Sequence, residues 1–200
     1  MSLSFAHRTL VSLLGLDPVF AGTGARAAVM TPAQGSALFR DQRAHSDQPG
    51  WDLIEREHRV RAAGGRILHL FGEVMDFDGT PVQEALVEIR QADLAGRTPD
   101  QDTRARDFRG HGAVRTDREG RYQFRTILPR PTADRTAHIH ARVVPPSGRV
   151  LVTQLYLVDE AANDDDWTYQ SLGPSGQAAL SLDPIERADG DLGAGFNFVL

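Results

Sequence analysis

The chain has 200 residues and a formal net charge of −5; its cations are 22 arginines with no lysine, and it has no cysteine. The missing thiols exclude disulfides, thiolate catalysis and sulfur-ligated zinc, and the missing lysines exclude a Schiff-base mechanism. An acidic balance leaves no basic footprint for nucleic acid, which points to small-molecule partners, and a single core is expected to bury about 70% of the unfolded surface.

Near the N-terminus His7-Arg8 precedes the apolar stretch Thr9 to Leu16, stopped by Asp17-Pro18, and Ala25-Arg26-Ala27 follows. Two readings stand: a short secretory signal, or a short amphipathic helix through Leu10, Leu13 and Leu14 on a cytoplasmic protein. No run approaches the roughly 18 apolar residues of a membrane span. Thr31-Pro32-Ala33-Gln34 predicts a short helix with Thr31 as N-cap and Pro32 at its first position. Asp52 to Val60 holds one more turn or a loop, and residues 1–60 together read as an arm ahead of a domain over 61–200.

From Ile67 the apolar period becomes two, with Leu68, Leu70 and Val74 on one face of a strand. Asp76 to Pro81 is a turn and Ala85 to Arg90 a second strand. Asp93 to Gly112 reads as one long loop, of a length that tends to be functional. Strands follow over Arg121 to Ile127, after Arg135, and over Val150 to Val158, where both faces look buried. The acidic run Asn163-Asp164-Asp165-Asp166 reads as a solvated loop, and Phe196 to Leu200 as a terminal strand. Short strands punctuated by turns predict an all-β chain, an antiparallel β-sandwich with long loops.

One stretch carries chemistry. On an extended strand His138 and His140 share a face with Arg142, while Ala137, Ile139 and Ala141 face the other way. Their Cα atoms are then roughly 6.5 Å apart, a spacing from which two imidazoles can converge on one ion. Two histidines on a strand are also a common solvent-facing polar pair.

Six blocks in order resemble the intradiol ring-cleavage dioxygenases, the family of catechol, hydroxyquinol and protocatechuate dioxygenases. They are Gly72-x-Val74-x-Asp76-x-x-Gly79-x-Pro81-Val82, Ala85-x-Val87-Glu88-Ile89-x-Gln91-Ala92-Asp93-x-x-Gly96-Arg97, Phe108-Arg109-Gly110-x-Gly112, Thr116-Asp117-x-x-Gly120-Arg121-Tyr122-x-Phe124-Arg125-Thr126-Ile127, Ala137-His138-Ile139-His140 and Thr153-Gln154-Leu155-Tyr156. Thr31-Pro32-x-Gln34 is similar to the family's N-terminal motif. The resemblance implies an immunoglobulin-like or transthyretin-like sandwich, O2 as co-substrate, a homo-oligomer, and a non-haem ferric ion held by two histidines and two tyrosines.

Carried onto this chain, the resemblance makes His138 and His140 the metal-binding histidines. Arg135 becomes the residue that polarises the substrate, and Gln154 lines the pocket. It also places Thr98 and Thr132 where the two tyrosine ligands belong, and Arg90 where a tryptophan precedes the Gln-Ala-Asp block. A threonine hydroxyl cannot replace a phenolate on ferric iron at neutral pH, because its proton is held too tightly and its side chain is short.

Three readings follow. In the first, His138 and His140 hold iron or another divalent metal with a recruited ligand, for which His111, His69, Asp93 and Asp134 are candidates, and the enzyme oxygenates a small catechol-like or quinol-like phenol. In the second, no metal binds and the histidines with Arg135 run acid–base chemistry on an oxygenated ring, as in an isomerase, cyclase or hydrolase. In the third, the sandwich is a non-catalytic binding module.

Overall fold

The computed structural model describes residues 29–35, 39, 50–98 and 107–200. The expected helix around Leu10 and Leu14 lies outside them, as do residues 99–106 of the Asp93–Gly112 segment. Among the described residues no helix is long and apolar enough to cross a membrane.

The elements in chain order are α1 (Glu57–Ala62), β1 (Ile67–Met75), β2 (Leu86–Arg90), β3 (His111–Arg115), β4 (Arg121–Ile127), β5 (His138–Val144), β6 (Leu151–Leu157), α2 (Trp167–Gln170), α3 (Gly173–Ala179), β7 (Ser181–Leu182), β8 (Ile185–Glu186), β9 (Leu192–Gly195) and β10 (Phe198–Val199). They form two sheets. In the first, β4 lies on one edge of β1, β9 and β10 share the other edge, and β8 adds to β9; the second runs β3-β2-β5-β6-β7. The long ladders are antiparallel, whereas β9 and β10 run parallel to β1 and β7 runs parallel to β6, so both sheets are mixed. The architecture is an all-β sandwich.

The period-two reading of β1 holds in detail: Leu68, Leu70 and Val74 are fully buried. They pack with Phe124, Phe198, Ile89, Ile139, Leu155 and their neighbours in one core, where each large apolar side chain contributes about 1.5–3 kcal/mol. Leu53, Ile54 and Val60 belong to the same core. Polar bolts cross it: buried Gln91, just past β2, donates to the Ile127 carbonyl (3.0 Å) and accepts from the Thr126 hydroxyl (2.7 Å) on β4.

Three expectations are corrected. Thr31 to Gln34 is not helical: Thr31 N bonds the Val199 carbonyl (3.0 Å) and Gln34 N the Val152 carbonyl (2.7 Å), so this extended segment spans from one sheet to the other. Those cross-sheet bonds outweigh the local helix-start preference of Thr-Pro. The Asp93–Gly112 segment ends inside β3, which begins at His111 and pairs with β2. The terminal strand is interrupted at Phe196-Asn197, where Phe196 N still reaches the Phe71 carbonyl (2.8 Å).

Candidate functional site

β5 sits in the middle of the second sheet, between β2 and β6. Ile139, Ala141 and Val143 are fully buried in the core, which turns His138, His140 and Arg142 to the opposite face. Across the ladders His140 stands opposite Arg90 and Gln154, and His138 opposite Tyr156.

The two imidazoles meet edge to face, with ring centroids 4.6 Å apart and Nε2 to Nε2 at 2.9 Å. His138 Nδ1 lies 2.7 Å from the Thr136 carbonyl; the hydrogen bond assigns the proton to Nδ1 and leaves the Nε2 lone pair directed at His140. A carbonyl behind the ring is the usual support of a metal-binding histidine. Two nitrogens each about 2.0–2.1 Å from one ion, at a right angle, lie about 2.9 Å apart, so the pair fits two adjacent positions around a metal. Burial lowers both imidazoles from their ordinary range, His140 to about 3 with help from His138, Arg135 and Arg90, so both nitrogens are held in the neutral form that binds metals.

Arg135 stands just ahead of β5. Its Nε donates to Asp166 (2.8 Å) and its Nη2 to the side-chain oxygen of Gln154 (2.8 Å), which joins it to the row containing His140. Tyr156 is fully buried, its ring 6.2 Å from that of His138, and its hydroxyl donates to Gln34 (3.2 Å). Burial raises this phenol against the opposing pull of Gln34 and Arg135, so it stays protonated.

Thr98 and Thr132 are both half-buried. Thr132 N donates to the Arg135 carbonyl (2.8 Å), and its methyl lies 3.6 Å from where a side chain on Gly96 would begin, so the segments carrying the two threonines abut.

The four candidate replacement ligands do not join the pair. His111 shares its face but is two strands away, with Arg90 between them, about 10 Å by strand spacing. Asp93 closes its own turn, accepting from Ala95 N, Arg97 N and Arg97 Nε at 2.9–3.0 Å. Asp134 is exposed and accepts from the Thr132 hydroxyl (3.2 Å).

His69 lies on β1 in the other sheet, where its ligand atom and those of Asp189 and Asp191 fall within 4.8 Å of one another. Those carboxylates already serve Arg61 (2.6 Å), His69 (3.1 Å) and Arg187 (3.5 Å), an arrangement that reads as an ion-pair network. Among the described residues no further His, Asp or Glu clusters with His138 and His140.

The residue that pattern reading missed is Asp166. Taken as part of a solvated acidic loop, it is buried, as is Asn163. It accepts from Arg135, from Thr136 N (2.8 Å) and, as N-cap of α2, from Tyr169 N (2.9 Å). The available signal was a capping one: an Asp immediately before Trp167-Thr168-Tyr169 marks a helix start.

Comparison with known proteins places the chain in a family. A family model described as Dioxygenase matches residues 41–200. The chain is 37% identical over 154 residues to the protocatechuate 3,4-dioxygenase beta chain of Burkholderia cepacia, covering 68% of this chain and 65% of that one. It is 28% identical to the 6-chlorohydroxyquinol 1,2-dioxygenase of Cupriavidus pinatubonensis, covering 70% and 56%. The chain thus spans roughly half to two thirds of the length of the curated relatives it matches.

Among solved structures, the dioxygenase domain of a dioxygenase–carbohydrate-binding fusion from Streptomyces sp. SirexAA-E superposes with a TM-score of 0.66 at 27% identity, over 86% of this chain and 98% of that one. An intradiol ring-cleavage dioxygenase from Tetranychus urticae, at 18% identity and a TM-score of 0.68, shares the fold. With a family model matching four fifths of its length and relatives of this kind in both sequence and structure, the chain belongs to the intradiol dioxygenase family.

Proposed function

We propose that this protein is a metal-dependent dioxygenase of the intradiol type, acting with O2 on a small catechol-like or quinol-like phenol, with threonines where two metal-binding tyrosines stand in the family. The observation that carries the reading is the convergence of the Nε2 atoms of two neutral imidazoles at 2.9 Å, with the His138 ring backed at Nδ1 by the Thr136 carbonyl. His138 and His140 hold the metal, iron by family or another divalent ion. Bound there, iron supplies Lewis acidity and a one-electron redox centre.

The chain's own residues do the rest. Arg135 binds and polarises a substrate oxygen, Gln154 fixes the guanidinium and shapes the pocket, and Thr98 and Thr132 leave room beside the ion for water or for a bulkier ring. Val29 and Met30, exposed side by side at the start of the described arm, support assembly into a homo-oligomer, which light scattering tests.

The decisive experiment is elemental analysis of protein reconstituted with iron, followed by oxygen uptake with a panel of catechols and quinols. About one metal per chain is expected, with most of it lost in His138→Ala and in His140→Ala; full occupancy in both variants refutes the site. The second reading, metal-free acid–base catalysis, has the same pair in hydrogen-bond contact (2.9 Å) but needs its imidazoles to titrate nearer the working pH once substrate is bound. Turnover that survives exhaustive chelation selects that reading. A protein with neither turnover nor ligand-dependent thermal stabilisation is a binding module of another kind.

A further inference from the structure

Arg135 is held from outside the strand that carries the histidines. Its Nε meets Oδ2 of Asp166, a side chain only 1% exposed. That carboxylate has little freedom, because Thr136 N also bonds Oδ2 and Tyr169 N bonds Oδ1. The segment around it is itself pinned. Asn163 accepts from the Thr136 hydroxyl (2.7 Å) and donates to the Leu157 carbonyl (3.0 Å), and Gln170 donates to the Asn163 carbonyl (2.8 Å).

An arginine on its long flexible stem loses aim unless its planar head is fixed at two points. Here the two points are Asp166 and Gln154. We propose that Asp166 is the positioning residue of this site: by fixing the Arg135 guanidinium against Gln154 it sets where the substrate oxygen is received, and so makes the segment 163–170 part of the substrate site. The inference rests on the reading of Arg135 as the substrate-binding cation.

The test is a double-mutant cycle on the iron-reconstituted full chain, with oxygen uptake on catechol as the readout. Asp166→Asn removes the charge that faces Arg135. Asp166→Ser keeps an N-cap acceptor for Tyr169 and serves where the Asn variant is poorly folded. The expected result is a fall of about tenfold or more in kcat/KM, carried mainly by KM, with iron content unchanged; in an Arg135→Ala background the same substitution should change kcat/KM less than about twofold. An equal loss in both backgrounds overturns the proposal, since a merely structural aspartate acts whether or not the arginine is present.

A second readout is independent of the reaction. Phenylglyoxal labelling of Arg135, followed by peptide mass spectrometry, should accelerate several-fold in the Asp166 variants, and an unchanged labelling rate overturns the proposal. Accelerated labelling in a protein whose wild type consumes no catechol leaves the Asp166 assignment standing and removes the substrate reading instead.

Discussion

Burial, reinforced by His138, Arg135 and Arg90, keeps the His140 imidazole near 3 in the folded chain, while the same group titrates near about 6.5 once unfolded. Between those values the unfolded chain takes up a proton that the native chain refuses. This contribution to stability is therefore full above about pH 6.5 and is lost as pH falls, at up to about 1.4 kcal/mol per pH unit. Urea titrations of the metal-free protein at about pH 7 and about pH 5 should show the loss, and His140→Asn should flatten it; an unchanged slope would mean that the imidazole is not held neutral.

The threonines make a second residue-scale prediction. On the proposed ligand set, which has no phenolate donor, the iron-loaded protein should lack a visible charge-transfer band, and Thr98→Tyr with Thr132→Tyr should create one; a coloured wild type contradicts the proposed set. The His-x-His pair was legible because it sits at a fixed place in a period-two strand, and Gln154 because it sits in a recognisable block, whereas Arg135, ahead of the strand, came only from the family resemblance. Asp166 was not legible in any of these ways. Its role depends on α2 folding back to β5 across 31 residues, and nothing local in an acidic run distinguishes a buried cap from a solvated loop.

At the scale of the element, β1 organises the first sheet by pairing along both edges, and its partner on one edge is broken at Phe196-Asn197. Gly72 permits that break. A Cβ there would overlap the Phe196 carbonyl oxygen, and the same oxygen accepts from the buried Tyr122 hydroxyl (2.7 Å), so the carbonyl cannot retreat without leaving a phenol unpaired. Gly72→Ala should destabilise the protein by about 3 kcal/mol or more, read as a lower urea midpoint, whereas Gly79→Ala, in an exposed turn where no described residue lies near the added carbon, should cost only the roughly 1 kcal/mol of a left-handed backbone position. Equal midpoints for the two variants would refute the argument.

The strands that pattern reading recovered are of two kinds: burial alternates along β1, β4 and the first half of β5, whereas β2 and β6 are buried on both faces and stand out as short, mostly apolar runs. What escaped it has a physical reason in each case. β3 opens with His111-Gly112, which carries no alternation, and α2 and α3 are too short to show an apolar stripe. Thr31-Pro32 has the chemistry of a helix start, but the chain spends it on bonds between the sheets.

The whole molecule separates its tasks by face. The side between the sheets is apolar, while the opposite face of the second sheet is polar and yet largely enclosed. Glu88 and Arg142, each 6% exposed at the side chain, form an ion pair there, and the Arg142 and Arg90 guanidiniums lie 5.1 and 5.3 Å from the centre of the Phe39 ring. Removing one partner of such a pair leaves an uncompensated buried charge, at a cost of about 3–5 kcal/mol, whereas replacing both with apolar groups of similar size is close to neutral or stabilising.

Arg142→Ala should therefore lower stability by that amount, and Glu88→Leu with Arg142→Met should recover most of it, both read by chemical denaturation. Arg142 is two residues from His140 on the same face, so iron content of the double variant asks a further question of the same protein. Stability recovered with full iron would show that this ion pair holds the face closed and leaves the ligands alone. Stability recovered with iron lost would make the pair part of what aims His140, a function that hydrophobic replacement cannot supply.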